Sequence, residues 1–200
     1  DGEPVIKYVE SFILEKNGKV CNEFHSMNYD DEASLLYLGS RGGYGLVRFN
    51  LLTKKYEFIP MNNAGNRAVG DVLCMCYSQD STFYLGASSG MTQMKLHSGT
   101  PAEVRQYSRI DGIKNDMVHG ILEDPDGCIW LSTNKGLAKY NPHNHFFHNY
   151  GSPDLDVTEF SDDAYWKCPY TGKLFFGGIN GLIWVDPQND RQENYKPALH

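Results

Sequence analysis

The sequence predicts an all-β protein built from about four repeated units, each with four short antiparallel strands. Three observations predict this fold: a repeat of 45 to 46 residues, strands that are apolar on both faces, and a composition rich in aromatic residues and glycine. Aromatic residues make up 13% of the chain and 20 residues are glycine, which is typical of short strands joined by tight turns. We find no amphipathic helix of the kind that a parallel α/β sheet needs between its strands.

The repeat is anchored by a glycine that follows the second strand of each unit. The anchors are Gly45, Gly90, Gly136 and Gly181, and the central aromatic residues of the preceding apolar runs, which we predict to lie in the core, are Tyr37, Tyr84, Trp130 and Phe175. Successive anchors lie 45, 46 and 45 residues apart, a regularity that identifies a repeat architecture. The first unit has two extra residues between its aromatic residue and its glycine, so we predict a longer loop at residues 41–44.

The third unit indicates most clearly where the strands lie. We predict strands at 117–123, 128–132, 137–140 and 146–150, separated by turns at Asp126-Gly127, at Gly136 and at Asn141-Pro142. Gly136 would close its turn with a positive φ, which glycine adopts at little cost. The second strand is apolar on both sides, as expected when each four-stranded blade of a β-propeller packs between two neighbours.

The predicted fold is therefore a partial ring or fragment of a β-propeller. We divide the chain into 1–18 (end of a preceding blade or linker), 19–60 (blade 1), 61–108 (blade 2), 109–151 (blade 3) and 152–200 (blade 4 and a C-terminal tail). The period and pattern differ from those of leucine-rich and helical repeats, and the WD and kelch signatures are missing or out of place. The chain begins at Asp1 without a methionine or an apolar leader, which we interpret as a piece of a longer protein.

Charge and composition exclude several classes of partner. The net charge of −7 and the pI near 5.4 argue against nucleic acid and against an anionic membrane surface. No apolar run reaches the roughly 18 to 20 residues of a membrane span, so we expect no direct membrane insertion of this piece. The five cysteines form no CxxC pair, and we interpret them as single buried thiols: Cys21, Cys74, Cys76, Cys128 and Cys168.

The third unit closely resembles the two-component regulator propeller repeat. The matching positions in segment 115–137 are Asn115, the run Asp124-Pro125-Asp126-Gly127, the pair Ile129-Trp130 and the run Thr133-Asn134-Lys135-Gly136-Leu137. The other units are more divergent: the first matches loosely through Asn22, His25-Ser26-Met27 and Asp30, the second has Ser78 where the third has Asp124, and the fourth looks like the closing blade of a hybrid two-component sensor region.

The resemblance implies a function as well as a fold. In that family the propellers lie in the periplasm, usually as two tandem rings, and precede an immunoglobulin-like domain, a membrane helix and a histidine kinase. It implies that this chain is a non-catalytic sensing module of a hybrid two-component sensor kinase, whose ligand is an oligosaccharide or another small extracellular molecule. The sequence leaves two alternatives open, a carbohydrate-active propeller enzyme (lyase or hydrolase) and a protein-interaction scaffold.

The order of the strands indicates where a ligand would bind. Antiparallel strands place the turns between strands two and three, and the connections between blades, at one end of the blades. Amide, cationic and aromatic side chains converge there, and they can bond to hydroxyl-rich ligands. The candidate binding residues are Arg41, Tyr44, Asn115, Asn134, Lys135 and Asn180. The long first loop would let Arg41 and Tyr44 reach inward.

Other clusters are better interpreted as structural. His143, His145 and His148 surround a predicted hairpin turn and do not form a convincing zinc-ligand set. Acidic residues such as Asp124 recur in equivalent turns, which favours a structural role over a glycosidase pair. We therefore predict no cofactor, metal or catalytic residue, and we expect the open apolar blade faces to drive self-association.

Overall fold

The computed structural model describes residues 10–61, 70–97, 99–153 and 155–189. A hairpin of β1 (Leu14–Lys16) and β2 (Lys19–Cys21) precedes four antiparallel sheets, which follow one another in chain order and which we call blades 1 to 4. The strands are β3 (Phe24–Asp30), β4 (Leu35–Ser40), β5 (Leu46–Asn50) and β6 (Tyr56–Ile59) in blade 1; β7 (Cys74–Tyr77), β8 (Thr82–Ala87), β9 (Gly90–His97) and β10 (Thr100–Tyr107) in blade 2; β11 (Val118–Glu123), β12 (Ile129–Thr133), β13 (Gly136–Asn141) and β14 (Phe146–Tyr150) in blade 3; β15 (Phe160–Lys167), β16 (Leu174–Gly178) and β17 (Gly181–Val185) in blade 4.

The predicted fold class is confirmed, since the sheets are antiparallel and stack as blades of a β-propeller. In the third unit the predicted strands match the observed ones to within one residue at either end. Each sheet lies inside one predicted blade segment, although β2 pairs with β1 and not with the first sheet. The exact segment boundaries stay a prediction, and residues 1–9 and 190–200 lie outside the described part.

The first strands of successive blades contact one another in the order β3, β7, β11 and β15. Glycines in the second strands make this approach possible. A Cβ atom on Gly86 would overlap the Cys74 sulfur and lie only 2.7 Å from Val118 Cγ1 in the next blade. A Cβ atom on Gly39 would likewise lie 2.7 Å from Val72 Cγ1, just before the first strand of the next blade. Each glycine therefore leaves room for the next blade to pack closely.

The repeated aromatic position is core in three blades and not in the fourth. Tyr37, Tyr84 and Trp130 are buried as predicted, whereas Phe175 is only half-buried, so the core prediction is wrong for that residue. Its strand lies in blade 4, and no further blade covers the outward face of blade 4 within the described residues. Large exposed side chains mark this face, with Trp166, Leu182 and Trp184 each more than half exposed.

Gly136 closes the turn between β12 and β13 in the conformation that the sequence predicts, with φ at +101°. The structure adds a second reason for glycine at this position. A Cβ atom there would overlap the carbonyl oxygen of Tyr150 on the neighbouring strand. Backbone conformation and close approach together exclude a side chain at this turn.

The structural interpretation of the repeated turn acids is confirmed for Asp124. Its carboxylate is fully buried and accepts bonds from the Cys128 backbone N–H and the Trp130 indole N–H, both at 2.9 Å. The Lys139 ammonium, itself buried, lies 3.6 Å from the same carboxylate. Asp124 therefore joins the turn, the core tryptophan and the third strand of blade 3.

Candidate functional site

The predicted binding residues all lie at one end of the blades, which we call the upper end. It carries the turns between second and third strands and the connections that enter each first strand. Arg41 and Tyr44 lie between β4 and β5, Asn134 and Lys135 between β12 and β13, Asn180 between β16 and β17, and Asn115 just before β11. Ligand binding by these residues stays a prediction.

The upper end holds a polar cluster of which sequence reasoning singled out only Asn134. His119 on β11 of blade 3 bonds through Nδ1 to Asp162 Oδ1 on β15 of blade 4, at 2.5 Å. Its Nε2 bonds to Asn134 Oδ1 at 2.6 Å. The His119 side chain is 8% exposed and that of Asp162 is 53% exposed, so the pair extends from the blade interface to the surface. We call His119, Asn134 and Asp162 the upper-end cluster.

Two β-bulges aim these side chains at each other. The register of β11 against β12 shifts between Val118 and Gly120, which leaves His119 in the bulge. The register of β15 against β16 shifts between Phe160 and Tyr165, around Asp162. Bulges redirect side chains near the ends of strands, and here they turn two residues from adjacent blades toward each other.

Tight packing between blades 3 and 4 lies directly beneath the cluster. A Cβ atom on Gly120 would lie 2.5 Å from the Tyr165 ring, so only glycine allows this ring to pack against β11. Burial raises the pKa of both the Tyr165 hydroxyl and the nearby Cys74 thiol. Both groups therefore stay protonated at neutral pH, and neither supplies a nucleophile to the cluster.

Blade 1 carries a related arrangement. The register of β3 against β4 shifts between Phe24 and Ser26, which places His25 in a bulge. His25 Nε2 lies 3.1 Å from Glu23 Oε1, and the Arg41 guanidinium lies 3.6 Å from the same oxygen. Arg41 is thus placed beside the first strand of its blade, with more than half of its side chain exposed.

The expectation that Tyr44 reaches inward is wrong. Its hydroxyl donates to the Val20 carbonyl oxygen at 3.3 Å, and its ring packs against Phe58 with centroids 6.0 Å apart. Val20 belongs to the β1–β2 hairpin and Phe58 to β6, the outermost strand of blade 1. Packing against these apolar neighbours draws the ring away from the first strands.

The remaining predicted residues are distributed around the cluster without joining it. Asn115 Oδ1 accepts from the Met117 backbone N–H at 2.9 Å, so its side chain closes a turn before β11. Lys135 and Asn180 are exposed on neighbouring turns. Among the described residues, Asn134 is the one candidate of the six that contacts the His119–Asp162 pair, through His119 of its own blade.

The histidines of the third unit lie at the opposite end and make separate contacts. His145 bonds to Arg105 and Tyr140, while His148 packs edge-on against Tyr150. Within the described ranges, no three His, Cys, Asp or Glu side chains are grouped so that they could hold a metal ion.

Comparisons with known proteins support the predicted resemblance. Residues 112–135 match the family model described as two component regulator propeller. The chain is 33% identical over 91 residues to histidine kinase P4 of Formosa agariphila, which corresponds to 44% of this chain and 6% of that protein. The chain therefore spans a small part of the relative that it matches.

Solved structures show the same fold. The chain is similar to the extracellular domains of two putative hybrid two-component systems from B. thetaiotaomicron, both at 21% identity, with TM-scores of 0.67 and 0.66. These similarities cover 82% and 89% of this chain and 22% of each domain. A catalytically inactive virginiamycin B lyase from Staphylococcus aureus with quinupristin is 15% identical, with a TM-score of 0.66 over 90% of this chain and 57% of the lyase. Among the described residues, no helix is long and apolar enough to cross a bilayer.

Proposed function

We propose that this chain is a non-catalytic ligand-sensing module from the periplasmic part of a hybrid two-component sensor kinase, and that its ligand is an oligosaccharide. The two-component propeller repeat at 112–135 and the similarity to extracellular domains of hybrid two-component systems support a sensor role. The transmission of a signal across the membrane is inferred from the resemblance to hybrid two-component sensors, and the ligand class from that resemblance together with the chemistry of the upper end.

The observation that carries the proposal is the contact of His119 and Asp162 across two blades. A ligand that bonds to the half-exposed Asp162 carboxylate contacts blade 4 directly and is linked to blade 3 through His119, which bonds to the same carboxylate. Its binding energy then depends on how the two blades are placed. A ligand shifts an equilibrium between two arrangements only when its affinity for them differs, and a site shared by two blades provides that difference.

The chemistry around the cluster suits a polyhydroxylated ligand. Asp162 offers a half-exposed carboxylate, and Lys135 and Asn180 offer ammonium and amide groups on adjacent turns. Such donors and acceptors can pair with sugar hydroxyls, whereas a compact apolar ligand would leave them without partners. Arg41 offers an exposed guanidinium at the same end of blade 1.

Binding of a defined panel of tri- to hexasaccharides by the purified chain tests this proposal. The tightest-binding member is then titrated against Asp162→Ala, Asn134→Ala and Arg41→Ala, with Asp126→Ala at the opposite end as the matched control. Loss of a charged hydrogen bond is expected to weaken binding about tenfold or more in the Asp162 variant, while Asp126→Ala binds like the wild type. If the three upper-end variants bind normally and the control does not, the site has been placed at the wrong end.

A propeller enzyme is the second candidate, because a His–Asp pair at an open surface is a common general acid–base arrangement. In this structure, however, both ring nitrogens of His119 are bonded within the protein. Neither nitrogen faces outward to take a proton from a substrate, which favours binding over catalysis. Sustained turnover of any oligosaccharide in the panel would overturn the sensor proposal, and its loss in a His119→Gln variant would assign the chemistry.

We also propose that the exposed face of blade 4 pairs with a second copy of the chain. Trp166, Leu182 and Trp184 together present a contiguous apolar surface on strands β15 and β17, which soluble monomers rarely leave open. Light scattering as a function of concentration should show a dimer, and Trp184→Lys should return it to a monomer. A monomer at all concentrations would contradict this pairing and favour a scaffold role with a different partner.

A further inference from the structure

A second cleft lies at the lower end of the blades, opposite the upper-end cluster. It has a volume of about 350 Å³ and opens between blades 2 and 3. It is lined by Asp80, Gln93, Lys95, Glu103, Arg105, Pro142, His143 and His145. The size falls in the range of small-molecule sites, about 300 to 1,000 Å³.

One wall of the cleft is formed by the two outer strands of blade 2. Gln93 on β9 lies opposite Arg105 on β10, and Lys95 lies opposite Glu103. Side chains that are directly opposite or two residues apart in a sheet share a face. These four side chains therefore form one polar face, and the turn between β13 and β14 of blade 3 forms the facing wall.

Arg105 is held in place by His145, and the hydrogen bond between them determines which ring nitrogen of His145 carries the proton. Arg105 Nη1 lies 2.9 Å from His145 Nε2. A guanidinium only donates hydrogen bonds, so Nε2 accepts and the neutral ring carries its proton on Nδ1. That N–H then donates to the Tyr140 hydroxyl oxygen at 2.8 Å.

Behind His145 the hydrogen bonds continue into the core between the two blades. The hydroxyls of Tyr140 and Tyr107 are 2.6 Å apart, and Tyr107 donates to Gln93 Oε1 at 3.1 Å. Gln93 Nε2 in turn donates to the Tyr84 hydroxyl at 3.3 Å. Burial raises the pKa of both Tyr140 and Tyr84 far above the usual range, so these hydroxyls stay protonated and the network stays intact over the physiological range.

The charges of the cleft are not all compensated. Lys95 lies 3.7 Å from Asp80 and forms an ion pair with it. Arg105 has a neutral histidine as its partner, and in the described part of the chain no carboxylate forms an ion pair with it. A fixed, exposed guanidinium beside a polar cleft is suited to bind a planar carboxylate through two parallel hydrogen bonds.

We propose that this cleft is a second ligand site, which binds a small carboxylate-bearing polyol with its carboxylate on Arg105. Gln93 and Glu103 then lie on the same face, where they meet hydroxyl groups of the ligand. His145 is a positioning residue. It accepts a hydrogen bond from the guanidinium, and its own ring is held by the buried Tyr140 hydroxyl. The site is independent of the upper-end cluster, because the two lie at opposite ends of the blades.

Titration with sodium D-glucuronate, followed by NMR of the histidine side chains, tests the proposal. D-glucose with matched sodium chloride serves as the neutral control. We expect saturable glucuronate-dependent shifts of His143 and His145 and none with glucose. Arg105→Gln should weaken binding about tenfold or more, whereas Arg109→Gln, which changes an exposed arginine paired with Asp116 outside the cleft, should leave it unchanged. Equal responses to the two sugars, no response to either, or wild-type affinity in Arg105→Gln would each overturn the assignment.

The positioning role of His145 has its own readout. His145→Gln keeps an acceptor for Arg105 and is expected to retain affinity to within about threefold, while His145→Leu removes it and should approach the loss seen in Arg105→Gln. Thermal unfolding shows whether each variant is folded. Equal affinities in the Gln and Leu variants would show that the hydrogen bond to Arg105 does not position it.

Discussion

Blades 3 and 4 carry the same sequence repeat, but equivalent positions in the two blades differ in burial. Trp130 at the centre of blade 3 is 2% exposed, whereas Phe175, its equivalent in blade 4, is only half-buried. Their cross-strand partners differ still more, since Lys139 is 6% exposed and Trp184 is 55% exposed. A polar residue is thus buried in one blade and a large apolar one is exposed in the other, at the same place in the repeat.

The difference follows from what covers each blade. Residues of blade 3 belong to two core clusters, one shared with blade 2 and the other with blade 4. Trp130 packs in the second of these clusters with Phe160 and Phe176 of blade 4. The described part of the chain has no blade on the far side of blade 4. The burial of a repeat position therefore depends on its neighbours as much as on its own residue.

Truncating the central aromatic residues tests this comparison with the largest expected effect. Trp130→Ala removes a fully packed ring and should lower the free energy of unfolding by about 3 to 5 kcal/mol. Phe175→Ala should cost clearly less, because part of its ring already contacts water. Urea unfolding of both variants provides the measurement. A loss under about 1 kcal/mol for Trp130→Ala would show that blade 3 is not packed between two neighbours.

The buried turn acid provides a second test. Asp124→Asn removes the charge that faces buried Lys139 and should cost about 3 kcal/mol, the lower end of the range for breaking a buried ion pair. Cys168 closes the equivalent turn of blade 4, with its N–H donating to the Lys173 oxygen and its thiol hydrogen-bonded to Thr171, and serine can make both bonds. Cys168→Ser should therefore change stability by no more than about 0.5 kcal/mol. Equal losses in the two variants would contradict the structural role assigned to Asp124.

The smallest expected change in stability concerns Glu123, at the interface of blades 2 and 3. Burial raises the pKa of its carboxyl group, although the Gln79 backbone N–H donates to it at 3.1 Å. Because the native state holds this proton more tightly than the unfolded chain, stability is lost as pH rises from about 4.3, the unfolded value, through the raised native pKa. Glu123→Gln should remove this loss and change stability at neutral pH by less than about 1 kcal/mol. Parallel urea titrations of the two proteins between pH 4 and 8 would detect it, and an unchanged pH profile in the variant would contradict the raised pKa.

The contact of His119 with Asp162 in the upper-end cluster was not predicted from the sequence. Asn134 was a candidate because it belongs to the repeat, but its partners His119 and Asp162 are 43 residues apart. Neither forms a local motif. A signal was nevertheless present, because His25, His119 and Asp162 all lie in bulges near the beginning of a blade's first strand. Alignment of the units at that position would have revealed a polar residue in three of the four.

The sequence by itself determined the period, the strands, the turn glycines and the end of the blades at which the repeat's polar turns gather. These properties are local or periodic, because strand pattern and turn conformation depend on residues close together in the chain. Only the tertiary structure decided which repeat positions are buried, that Tyr44 packs outward, and that His119 meets Asp162. Those outcomes depend on how closely one blade approaches the next, and side chains from different units set that distance.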